Sequence, residues 1–95
     1  MKSPKLALLL AAVAIPLTAQ AGAAPKPRIA MATARAHALA LAPGKVVSAE
    51  YEREGGGWRY SFDIRQADRN IHEIGIDAMT GKVVENKSEG RHDKD

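Results

Sequence analysis

Asp77-Ala78-Met79-Thr80-Gly81-Lys82-Val83-Val84 is the stretch that decides the fold. An acid ends an apolar run, a Thr-Gly pair follows, and two valines resume. Gly81 offers the positive φ of a tight turn without a Cβ penalty. Asp77 and Thr80 carry short polar side chains that hydrogen-bond the backbone of turns. The segment therefore predicts a hairpin, with Asp77, Thr80 and Gly81 as its turn-forming residues. It holds no nucleophile, no cluster of metal ligands and no phosphate loop.

The residues before this hairpin have a period of two. His72, Ile74 and Ile76 form the apolar side of one predicted strand. Upstream of the polar connection Gln66–Asn70, Trp58, Tyr60, Phe62 and Ile64 alternate with Arg59, Ser61, Asp63 and Arg65. That is the clearest strand pattern in the chain. Gly55-Gly56-Gly57 supplies a turn, and Val47, Ala49 and Tyr51 alternate with Ser48, Glu50 and Glu52 before it. Glu52 is expected opposite Arg59 on the solvent face, a cross-strand charge pair.

Before Lys45 the period changes. Ile29–Leu41 is rich in alanine, the strongest helix former. Met31, Ala34, Ala38 and Leu41 fall on one predicted helical stripe, with Leu39 at its edge. Pro43-Gly44 ends the helix, and Ala30 stands where a Ser or Thr cap would be expected. The expected fold class is α+β: one N-terminal helix packed on a three- to four-stranded antiparallel meander sheet. One sheet face is expected toward the helix and the other toward water.

The flanks are read separately. Lys2 and Lys5, the apolar run Leu6–Ile15 and Ala19-Gln20-Ala21 match a cleavable export signal over residues 1–21. A second cleavage register lies after Ala23. Ten apolar residues are half of the roughly 20 a spanning helix needs, so no stable membrane anchor is expected after cleavage. Residues 22–28, with Pro25 and Pro27, read as a flexible leader. Residues 29–85 form the domain, and residues 86–95 a polar charged tail expected to fray. The expected location is the periplasm or the exterior.

Cutting the 95 residues after Ala21 leaves 74, one small domain with no cysteine to staple it. The formal net charge of +3 falls to +1, because two of the fourteen basic residues lie in the signal. That is far from the basic footprint of a nucleic-acid binder, so no nucleic-acid partner is expected.

The ordered set of motifs resembles a single PepSY domain. Its parts are Ile29 and Ala34 at the helix start, Ala38-Leu39, and Pro43-Gly44-Lys45-Val46. Trp58-x-Tyr60-x-Phe62-x-Ile64 and Ile74-x-Ile76-Asp77-Ala78-x-Thr80-Gly81-Lys82-Val83 complete it. Here the chain departs from the family in its uncapped helix start and in His72, where a bulkier apolar or aromatic residue is common. PepSY domains occur in propeptides of thermolysin-type proteases, in spore-germination proteins and as small exported proteins. The resemblance implies a non-catalytic module that binds a protein or peptide partner and restrains a protease.

The residues themselves point the same way. Ser48, Ser61 and Ser88 lack the placed base and acid that a nucleophile requires. His37, His72 and His92 are scattered, and His72 and Glu73 point to opposite faces of a strand. Too few ligands gather for a zinc site, and no cofactor or catalytic residue is expected. Gly55-Gly56-Gly57 lacks the Lys-Ser/Thr of a phosphate loop. Candidate partner contacts are Trp58, Arg59 and Arg65, used either on the outer face or by strand addition at a sheet edge. The alternative is a periplasmic small-ligand or metal-responsive sensor built on His72.

Overall fold

The computed structural model describes residues 23–91. The expected export signal and His92 lie outside the described residues. Helix α1 spans Met31–Leu41 and strands β1 to β4 span Lys45–Glu54, Gly57–Arg65, Asn70–Asp77 and Val83–Arg91. The four strands form one antiparallel sheet in the order β1-β2-β3-β4. Helix-then-meander is the α+β arrangement the sequence predicts.

Helix α1 begins without a side-chain cap, at an extended Ala30. It packs on β2 and β3 through Ala34 and Ala38, both buried, with Met31 and Leu39 against the core. The fourth position of the stripe is Ala42, at 1% exposure, and not Leu41, at 43%. From Met31, eleven residues make three turns of 3.6, whereas ten fall well short of the stripe. Small residues at all three buried positions bring the helix close to Phe62, Ile64, Ile74 and Ile76, each fully buried.

The sheet register sorts the side chains by face. Ala49, Phe62 and Ile74 share one row toward the helix, and Tyr51, Tyr60 and Ile76 share the next. On the outer face Glu52, Arg59 and Asp77 share a row. Beside it lie Glu50, Ser61, Gly75 and Glu85, then Ser48, Asp63, Glu73 and Lys87.

Three expectations change. In β1 an irregularity between Val46 and Ser48 shifts the phase, so Val46 packs against the core and Val47 is 42% exposed. Strand β4 runs nine residues to Arg91, taking in most of the stretch expected to fray. It is an edge strand with two register shifts and little apolar content past Val84, so no period of two marks it in the sequence. The leader is tied down from Pro25 onward. Tyr51 Oη donates to the Pro25 carbonyl at 2.6 Å and Tyr60 Oη to the Ile29 carbonyl at 2.7 Å. The Arg28 and Ile29 amides donate to the Ala78 carbonyl at 3.0 and 2.9 Å.

Candidate functional site

The Asp77 turn is built from its own backbone. Asp77 Oδ1 accepts from the Met79 and Thr80 amides at 2.8 and 2.9 Å. The Gly81 amide donates to the Asp77 carbonyl at 2.8 Å, and the Lys82 amide to Thr80 Oγ1 at 3.2 Å. Gly81 has φ +82°, with the Ile29 side chain against it. The amide bonds from Met79 and Thr80 hold the Asp77 carboxyl below its ordinary range, so it is a carboxylate at neutral pH.

The Ala78 amide donates to the Trp58 carbonyl at 3.0 Å, bringing this turn against the start of β2. There the β1–β2 hairpin ends in Gly55 and Gly56, at φ +65° and +86°. Two positive φ angles in a two-residue loop define a type I′ turn, which is why glycines occupy it. Between the two turns lies a hollow of about 250 Å³, lined by Glu54, Gly57, Trp58, Arg59, Asp77 and Val84. Three residues singled out in the sequence, Trp58, Arg59 and Asp77, thus meet in one place. Arg65 does not join them; it is exposed at the far end of β2, paired with Lys45 and Ile71.

Trp58 is half-buried and stacks on Tyr51, ring centroids 5.0 Å apart. Arg59 departs from expectation. It does lie opposite Glu52, but it is only 9% exposed and its guanidinium reaches past β3 to Glu85 on β4. Arg59 Nη1 lies 2.6 Å from Glu85 Oε1. Gly75 permits this crossing, since a Cβ there would stand 2.6 Å from Nη1. Glu52 instead accepts from Ser61 Oγ at 2.7 Å, the bond that chiefly lowers its pKa. Arg59 Nε is buried and has no hydrogen-bond partner.

Sequence reasoning missed Glu54, Val84 and Glu85. A lone glycine inside a strand is the signal of a close approach, and Gly75 was the available clue to the Arg59–Glu85 crossing. A more open depression beside Pro43, Gln66, Ala67 and Asp68 offers less. Both Asp68 carboxylate oxygens are taken up by Asn70.

His72 lies at the margin of the helix-side face, in the row of Ile64, and its ring hydrogen-bonds the Asn86 side chain. Among the described residues no group of three or more His, Cys, Asp or Glu is placed to hold a metal ion. No helix among them is long and apolar enough to cross a membrane.

On the outer face Glu73 is pushed up to about 7. Its hydrogen bond with Glu89 is the main cause, followed by burial and the charges of Glu85, Glu89 and Asp63. The folded state therefore binds more protons than the unfolded chain between the ordinary value of 4.5 and about 7. The contribution is full below that window and lost as pH rises through it. The denaturation midpoint is expected to fall across this interval, and Glu73→Gln to flatten the fall. An equal slope in the variant would place the titration elsewhere. Glu52 and Asp77, both lowered, act with the opposite sign and at more acid pH.

Comparison with known proteins agrees with the motifs. No curated protein and no solved structure matches the chain. A family model described as "Peptidase propeptide and YPEB domain" matches residues 28–87, from the tied-down end of the leader through β4 as far as Lys87. The helix, the first three strands, the Asp77 turn and the first half of β4 fall within that span, and the chain belongs to the PepSY family.

Proposed function

We propose that this domain is a non-catalytic exported protein-binding module that restrains or modulates a protease or another extracytoplasmic protein. Membership of a family described by peptidase propeptides carries the reading. The arrangement of potential catalytic groups supports it. Ser61 is buried on the outer face and donates to Glu52, while His72 lies on the helix-side face and is bonded to Asn86. A nucleophile and its base need mutual hydrogen-bond reach, and Ser61 and His72 are on opposite sides of the sheet. Ser88 stands across from His72 in the register, but its hydroxyl accepts from the Gly90 amide while the ring is bonded to Asn86. The export signal expected over residues 1–21 supports a partner outside the cytoplasm.

The domain without its signal, immobilised and exposed to the exported proteins of its own cell, is expected to retain a protease or protease precursor. Added to that protease in solution, it is expected to change the rate of peptide hydrolysis. Failure to retain any specific protein, with unchanged hydrolysis by every co-exported protease, would sink the reading.

A further inference from the structure

We propose that the hollow between the β1–β2 hairpin and the Asp77 turn binds a lysine or arginine side chain presented by an extended segment of a protein partner. This rests on the protein-binding reading and names the chemistry the partner must carry. Two observations support it.

The first is charge. Of the ionic side chains lining the hollow, Arg59 is taken up by Glu85, leaving Glu54 and Asp77. Asp77 is ionised, and Glu52 next along the same face of β1 is held ionised as well. Lys82 is exposed and does not line the hollow, and its charge acts on Asp77 less than the turn's own amides do. The wall facing an incoming group is anionic and disfavours carboxylate or phosphate ligands.

The second is shape and surface. Gly57 lies beside the Asp77 carboxylate, where a Cβ would stand in ordinary contact with Oδ2 at 3.8 Å. Val84, 49% exposed, is apolar surface against which the methylene stem of a long cationic side chain can lie. Arg59 lines the hollow too, but its one orphan donor, Nε, is buried out of reach of a ligand, so the carboxylates and Val84 define the site. A methylene stem that ends in a cation fits both features, which is why the occupant is a lysine or arginine side chain.

Trp58 is the chain's single tryptophan and lines the hollow, so its fluorescence reports occupancy. The signal-free protein is titrated with acetyl-Ala-Lys-Ala-amide and with the same peptide carrying norleucine. The lysine peptide is expected to give a saturable change that weakens with added salt, and the norleucine peptide none. Glu54 is exposed in the hairpin and outside the core, so Glu54→Gln leaves the fold intact. It is expected to weaken the lysine peptide by about twofold to fivefold, the range of an exposed ion pair. Equal binding of the two peptides, no response to the lysine peptide, or an unchanged Kd in Glu54→Gln would each overturn the site. A captured protease together with indifference to lysine peptides would remove this site and leave the protein-binding reading standing. Lysine-peptide binding without any captured partner would do the reverse.

Discussion

Replacing Phe62 with Ala is expected to leave the domain largely unfolded at growth temperature, at a cost of about 3–5 kcal/mol. Phe62 is fully buried, sits in the row of Ala49 and Ile74, and packs in the cluster that includes Ala34 and Ala38. A cavity there cannot close easily. The facing helix residues are already alanines, and the strands on both sides are fixed by the ladder. A chain of this size has a total stability of about 4–11 kcal/mol, at roughly 0.05–0.15 kcal/mol per residue. No disulfide adds to it, since the chain has no cysteine. Denaturant unfolding followed by circular dichroism measures the loss. Val47→Ala, at an exposed position shifted off the core by the β1 irregularity, is the internal comparison, expected within about 0.5 kcal/mol of the parent. A Phe62→Ala midpoint as high as that of Val47→Ala would mean the core lies elsewhere.

That comparison also marks how far the sequence could be read. Alternation identified β2 and β3 because each buries one face fully, as Phe62, Ile64, Ile74 and Ile76 show. It misplaced Val47 because one extra residue in β1 reverses the phase without altering composition. The i, i+3, i+7, i+10 spacing ended the stripe at Leu41, whereas three full turns from Met31 put the smaller Ala42 inward. Strand β4 was expected to be short, beginning at Val83 and Val84, and its length escaped notice because past Val84 neither of its faces is apolar. Its pairing is held by backbone bonds that leave no mark in side-chain pattern. The leader's anchoring rests on two tyrosine hydroxyls and one carbonyl, long-range contacts that no local rule predicts.

The candidate site divides the same way. The Asp77 turn was legible because Asx and glycine turn chemistry is local, within five residues. The hollow beside it was not, since it joins the 54–59 and 77–84 segments only through the sheet register. Arg59 shows the cost of reading faces alone. Its position on the outer face was right, but the face next to it is bare at Gly75, and the side chain lies down across that gap. A residue expected to reach a partner instead ties β2 to β4 past the intervening strand.

Glu85→Gln is therefore expected to destabilise the domain by about 2–3 kcal/mol, more than a surface pair and less than a fully dry one. The Arg59 and Glu85 side chains are 11% and 19% exposed, so the charge left behind is only partly hydrated. Glu85→Gln keeps size and an acceptor oxygen but removes the charge that balances Arg59. The Nε of that guanidinium already lacks a partner, and the nearby Glu52 carboxylate acts on it only by its charge, being hydrogen-bonded to Ser61. The double variant Arg59→Leu with Glu85→Leu is expected to recover most of the loss, because removing both charges also removes their desolvation. Gly75→Ala attacks the same contact from the other side. Its Cβ would meet Nη1 at 2.6 Å and Glu85 Cβ at 3.1 Å, so the guanidinium must leave its place. Denaturant midpoints of the three variants and the parent form the test. A Glu85→Gln loss under about 0.5 kcal/mol would show that water, and not Glu85, compensates Arg59. A double variant as unstable as Glu85→Gln would show that the outer face needs the pair itself, as the brace joining β2 to the edge strand.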